Sequence, residues 1–252
     1  MRVNLLIVRR NGHMPNLVAF LDMLGTKEST RAGTFHRVDT LEFANAVGLA
    51  AMSNPEMQFA AFSDSVVVSA PAEVAERFVA VLAFLLGNWF CEFILARGGI
   101  ALGEIEWVDQ PSIDGHFRVL TNFRYARVYG GALVEAVELE RASGPGAVCF
   151  LSQSAARHLA AVSPDYVLPG LTPMLVWADQ RVAGFLTDFL KHMLLGEKSM
   201  ARSRHVSATL SFIEQAADAG KFAPIGLVER MLGVETPPNK RIQATAHGTR
   251  RG

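Results

Sequence analysis

Asp22 closes a continuous apolar run, Leu17-Val18-Ala19-Phe20-Leu21, and Asp64 stands in Ser63-Asp64-Ser65 between two β-rich runs. A run that is apolar at every position reads as a strand buried on both faces, hence a central strand of a sheet. A hairpin turn lying beside the end of that strand would bring the two carboxylates together. Paired carboxylates at adjacent strand ends can hold two hard divalent cations through oxygen ligands. Two such ions suit phosphoryl chemistry, because one activates the attacking oxygen and the other stabilises the leaving one. The same two residues, taken alone, also fit a strand-end aspartate and a turn aspartate that are merely solvated. Other site chemistries find less support. The 7 histidines are scattered, with no His-x-His and no Cys-x-x-Cys, which argues against zinc. Gly196-Glu197-Lys198-Ser199 fails as a phosphate loop, since Glu197 and His192 occupy its two glycine positions. Gly144-Pro145-Gly146 lacks the third glycine of a dinucleotide fingerprint. His116 and His158 fit surface or packed histidines better than catalytic bases, and Glu135 and Glu138 fit a solvated helix face.

The elements that must position the aspartates follow from periodicity. Val38 to Met52 repeats apolar residues at helical spacing, ended by Asn54-Pro55. Met57 to Phe62 and Val66 to Val68 flank Ser63-Asp64-Ser65 as a hairpin. Pro71 to Phe93 is a long apolar helix, and Ile94 to Trp107, holding Gly98, Gly99 and Gly103, is a glycine-interrupted strand pair. A loop at 108–115, a strand from His116 to Leu120, a helix from Gly131 to Arg141 and a buried strand from Ala147 to Leu151 complete the series. This order predicts an α+β fold, a βαββαβ core with helices on one face of a mostly antiparallel sheet. Ser199 to Ala219 and Phe222 to Leu232 predict a C-terminal helical addition. Residues 1–16 are expected to be a flexible extension, with Met14 a candidate start. The main domain is expected over 17–190, the addition over 191–234, and a disordered basic tail over 235–252.

With 24 basic and 24 acidic residues, no global field draws the chain to nucleic acid or to an anionic membrane. Leu5-Leu6-Ile7-Val8 is too short for a signal segment, and no uninterrupted run approaches 18 apolar residues. Cys91 and Cys149, both in apolar contexts, are expected to be core thiols of a cytoplasmic protein rather than a disulfide.

Four segments in order strengthen the metal reading. Val18-Ala19-Phe20-Leu21-Asp22-Met23-Leu24-Gly25-Thr26 resembles the first metal motif of the class III nucleotidyl cyclases. Phe62-Ser63-Asp64-Ser65 resembles the second, where glycine usually precedes the aspartate. Arg97-Gly98-Gly99-Ile100-Ala101-Leu102-Gly103 resembles the arginine-bearing strand with its spaced glycines. Val128-Tyr129-Gly130-Gly131-Ala132-Leu133, with Ala136 and Leu139-Glu140, resembles the dimer-interface helix motif. The resemblance covers about residues 17–151 and implies a cyclase-like palm. It further implies that Asp22 and Asp64 bind two Mn²⁺ or Mg²⁺ ions with help from the Met23 carbonyl. Gly25 and Thr26 amides would hold phosphates, Arg97 would contact phosphate, and Phe20 would flank the nucleotide, though a core role suits Phe20 equally. The active unit would be a homodimer with sites at its interface.

The departures carry information too. Ala60 stands where purine-specific cyclases often carry Lys or Glu, and Arg127 where adenylate cyclases often carry Asp. Val134 and Glu138 align with the family's transition-state Asn and Arg. The chain resembles most the pyrimidine cyclases of bacterial antiphage defence, the Pycsar systems. That implies conversion of UTP to 3′,5′-cyclic UMP and pyrophosphate, with Arg127 among the substrate contacts and a separate effector responding to the product. Cytidylate or adenylate cyclase activity, or a non-catalytic nucleotide-binding module, are the alternatives.

Overall fold

The computed structural model describes residues 15–31, 33, 37–92, 94–108, 127–179, 183 and 200–223. Strand β1 (Asn16–Met23) is central, as its apolar run requires: Leu17, Val18, Ala19 and Leu21 are fully buried. It pairs antiparallel with β3 (Ser65–Pro71) on one side and β4 (Ala96–Gly103) on the other. Strand β2 (Gln58–Phe62) adds to β3 as the predicted hairpin. With β7 (Cys149–Leu151), β8 (Val167–Leu168) and β9 (Met174–Leu175), the sheet runs β2-β3-β1-β4-β7-β9-β8. Among the described residues only the β4–β7 pairing is parallel.

Alternation along β1 separates two cores. Leu17, Ala19, Leu21 and Met23 face α2 (Arg37–Ser53) and α3 (Ala75–Cys91), the two helices of the βαββαβ core. Trp89 stacks on Phe43 with ring centroids 4.2 Å apart, and its indole N–H donates to the Phe43 carbonyl at 3.1 Å. Val18, joined by Val67 and Ala101, faces Ala132 and Ala136 of α4 (Gly131–Ala142). Helices therefore lie on both faces, not one, because α4 follows the βαββαβ unit and finds the second apolar face still open. Helix α3 with its preceding turn (Ala72–Cys91) is long and apolar enough to cross a membrane, but 61% of it is buried inside the fold, which accounts for its apolarity.

Two local expectations need correction. β5 (Glu106–Val108) pairs with β6 (Arg127–Tyr129), not with β4, in a separate two-stranded sheet. Cys149 is buried, but Cys91 ends α3 exposed, since Trp89 and Phe90 already supply the inward face of that turn. Of the 1–16 extension only Pro15 and Asn16 are described, and Asn16 already pairs with Pro71 and Gly103. Met14, the His116–Leu120 strand, the 190/191 boundary, most of the Phe222–Leu232 helix and the 235–252 tail lie outside the described residues.

After β7, Ser152 caps α5 (Gln153–Val162) by accepting from the Ala155 N–H at 3.2 Å. The His158 ring is bonded to the Ala72 carbonyl at 3.0 Å, the packed role expected of it. Helix α6 (Met200–Asp218) gives Val206, Phe212, Ile213 and Ala216 to the main core. It also grips the chain leading into β7. His205 Nδ1 accepts from the Gly146 N–H at 3.2 Å, and Thr209 Oγ1 accepts from the Ala147 N–H at 2.8 Å. Thr209 is fully buried, so Thr209→Val orphans that N–H where water cannot replace the hydroxyl. The expected loss is about 1–3 kcal/mol, seen as a lower urea midpoint with an unchanged slope.

Candidate active site

Cross-strand register places the site. Asp22 is opposite Ser65 on β3 and opposite Arg97 on β4, and Phe62 of β2 is opposite Ser65. Directly opposed residues share a face of the sheet. The row Phe62–Ser65–Asp22–Arg97 thus lies on the α4 side, at the end of β1 where the chain leaves the sheet. One row inward lie Ala60, Val67, Phe20 and Gly99. Phe20 is half-buried there, packed against the Val18–Val67–Ala101 cluster and one row from Asp22.

Asp64 sits in the β2–β3 turn, and its carbonyl accepts from the Met23 N–H at 2.8 Å. That bond fixes the turn to the end of β1 and sets the two aspartates beside each other. Ser63 makes the turn with φ 50°, in the left-handed region. This is where the resembled motif carries glycine, and the positive φ explains the usual choice. Beyond Asp22 the chain is held by the Leu24 N–H on the Leu95 carbonyl at 2.7 Å. Gly25 then takes φ 82°, and Thr26 begins the short helix α1 (Thr26–Arg31). The Thr26 hydroxyl donates back to the Met23 carbonyl at 3.1 Å, which orients that oxygen.

The half-buried Asp22 carboxylate accepts from the Ser65 hydroxyl at 2.6 Å. Burial pushes its pKa above the usual 3.8, and the negative charges of Glu140 and Asp64 push the same way. The Ser65 bond and the Arg97 charge oppose them. Arg97 turns elsewhere: its Nε donates to Glu140, and its Nη1 donates to the Gly144 carbonyl at 2.8 Å. Two mutually repelling carboxylates and an oriented carbonyl form an all-oxygen donor set, which fits Mn²⁺ or Mg²⁺. Asp22, Asp64 and Met23 are the residues that could hold such ions. Among the described residues no three His, Cys, Asp or Glu side chains converge as a metal cage.

Among solved structures, the chain is similar to the adenylyl cyclase CyaB from P. aeruginosa, at 14% identity over 64% of this chain and 91% of that one, TM-score 0.43. It is similar to the monomeric guanylyl cyclase domain of the RhoGC fusion protein from the aquatic fungus Blastocladiella emersonii, at 12% identity over 65% and 95%, TM-score 0.47. A bacterial light-regulated adenylyl cyclase matches at 12% identity over 57% of this chain and 45% of that one, TM-score 0.43, so this chain spans under half its length. No protein-family model matches. No curated protein matches in sequence. The likeness concerns the fold alone; the chemistry depends on this chain's own side chains.

The remaining predicted residues separate. Arg127 lies in β6, opposite Val108, and its side chain is outside the described residues. Val134 and Glu138 are exposed on α4, on the side away from the sheet. Sequence reasoning gave Glu140 no role of its own, yet it is a buried carboxylate bonded to Arg97. Its one signal in the sequence is the four-residue spacing of Ala132, Ala136 and Glu140, which sets the acid on the same helix face as two alanines too small to mark that face as core. Ser65 was likewise seen only as part of a motif, and cross-strand register gives it the Asp22 bond.

Proposed function

We propose that the chain is a nucleotidyl cyclase that converts UTP to 3′,5′-cyclic UMP and pyrophosphate. The observation that carries this is the Met23 N–H bond to the Asp64 carbonyl, which sets Asp64 beside Asp22 on a rigid strand end. In the reaction the ribose 3′-oxygen attacks the α-phosphorus, the bond from that phosphorus to the bridging oxygen breaks, and pyrophosphate departs. The hydroxyl proton passes to solvent. Two divalent ions, when bound, supply positive charge against the charge developing on these oxygens. Asp22 and Asp64 hold that charge in place, Ser65 fixes the Asp22 rotamer, and Thr26 fixes the Met23 carbonyl. Backbone amides at Gly25 and Thr26, where the chain turns, face the triphosphate. Arg97 contributes through N–H groups not used on Glu140 and Gly144. Phe20, with Ala60 and Val67, offers the base an apolar platform one row from the metal pair.

The preference for uracil rests on Ala60 and Arg127. Alanine leaves the base-reading position of β2 without a polar group, and arginine can only donate. A donor suits a uracil carbonyl and meets the cytosine or adenine amine with repulsion. The expected unit is a homodimer in the bacterial cytoplasm, its product activating a separate effector in antiphage defence. One observation favours a second reading, a nucleotide-binding module without turnover: the exposed Val134 and Glu138 stand where the resembled family places its transition-state Asn and Arg.

Incubation with each of the four NTPs and Mn²⁺, followed by product identification, tests both. Cyclic UMP is expected to dominate, and Arg127→Ala should narrow the preference for UTP over CTP and ATP by about tenfold, the scale of one polar contact. Dominant cyclic AMP sinks the pyrimidine reading. Triphosphate binding with no cyclic product from any of the four moves the chain to the second reading.

A further inference from the structure

Asp22 and Arg97 stand directly opposite each other on β1 and β4, an arrangement in which opposite charges ordinarily pair. They do not pair here. Asp22 accepts from Ser65, while Arg97 is bonded to Glu140 and to the Gly144 carbonyl. Burial explains the choice. The Glu140 side chain is 5% exposed and that of Arg97 23%, so Glu140 without Arg97 would be an uncompensated buried charge. Asp22 is only half-buried and keeps a hydroxyl donor, so it does without a cation far more easily. Gly144 reinforces the hold, because the Gly146 and Ala147 N–H groups that follow it are fixed by His205 and Thr209 of α6.

We infer that Glu140 is a positioning residue that draws Arg97 off Asp22 and so leaves the Asp22–Asp64 pair without an internal counter-ion, open to a divalent cation. The inference rests on the two-carboxylate reading proposed above and names the group that keeps that site available. Glu140 cancels the Arg97 charge where it is already buried. The carboxylate pair then presents its full negative charge to a ligand. Were Arg97 free to swing across the sheet, it would occupy Asp22 and compete with the cation.

The test is Mn²⁺ binding to the full chain, followed by the loss of the free-ion electron paramagnetic resonance signal. Glu140→Gln keeps the side-chain shape but frees Arg97, and Mn²⁺ affinity is expected to fall about tenfold, the scale of one half-buried ion pair. Adding Arg97→Met removes the competitor as well, and affinity should return to within about twofold of wild type. A Glu140 that merely fastens α4 to β4 predicts no such rescue, so a double variant binding no better than Glu140→Gln overturns the inference. Should Glu140→Gln lose its fold by circular dichroism, Glu140→Asp replaces it. Its shorter carboxylate loosens the hold, with a loss of about threefold expected, and unchanged affinity there overturns the inference. Wild-type protein that binds no Mn²⁺ overturns the two-carboxylate reading itself. Wild-type binding that Glu140→Gln leaves unaltered overturns the positioning role alone.

Discussion

Asp22→Asn and Asp64→Asn, each alone, are expected to lower cyclic-nucleotide formation by roughly three orders of magnitude, the scale of losing metal-assisted charge stabilisation. Both replacements keep the side-chain shape, and in Asp22→Asn the amide oxygen can still accept from Ser65, so the fold should persist. Stability without metal should rise in Asp22→Asn at neutral pH. The folded-state pKa of Asp22 lies above its ordinary 3.8, chiefly through burial. A carboxyl raised in this way adds stability that is fully present below the unfolded value and lost as pH rises through the folded value. Wild type and Asp22→Asn should therefore melt alike below pH 3.8 and diverge above it, with the variant the more stable. Excess Mn²⁺ should reverse the order, because the ion binds the folded wild type and not the unfolded chain. Melting temperatures across pH, with and without Mn²⁺, check the stability half, and product analysis checks the rest. Turnover above a tenth of wild type in either variant would remove that aspartate from the reaction and overturn the two-metal reading.

The central strand, the hairpin and the helices at Arg37–Ser53 and Ala75–Cys91 were legible because each follows a local rule, an unbroken apolar run or a helical repeat closed by Asn54-Pro55. Those rules also put Asp22 at a strand end and Asp64 in a turn. Long-range pairing was not legible. Nothing near Glu106 says that β5 joins a strand 19 residues further on rather than its neighbour β4. The side taken by α4 was hidden for a different reason. Its inward stripe is Ala132 and Ala136, too small to look like a core face, and it ends in an acid. The partner of Arg97 was hidden likewise, since it lies 43 residues away on another element. Glycine offered the missing clue. Gly99 and Gly103 lie on the β4 face that α4 covers, and a strand that gives up side chains there invites a close helix.

That closeness makes Gly99→Ala a strongly damaging small change for the seam between β4 and α4. A methyl group at Gly99 would run into the Ala136 carbonyl oxygen and approach the Leu139 Cβ to 2.7 Å. Both contacts belong to or lie next to the backbone of α4, so no rotamer change relieves them. The helix has to lift, and the Ala132–Ala136 seam with Val18, Val67 and Ala101 opens as it does. The expected loss is about 3 kcal/mol, the upper end of overpacking costs, or a melting temperature lower by roughly 6–12 °C. Gly131→Ala is the matched control. A Cβ at that exposed first position of α4 meets nothing within 4 Å, and alanine is the better helix former, so its melting temperature should hold or rise slightly. Lifting α4 also carries Glu140 away from Arg97, so Gly99→Ala should weaken Mn²⁺ binding in protein that remains folded, whereas Gly131→Ala should not. A Gly99→Ala protein that melts within about 2 °C of Gly131→Ala, a difference worth less than roughly 1 kcal/mol at this chain length, would mean that α4 does not rest on β4 as closely as the Gly99 contacts with Ala136 and Leu139 require.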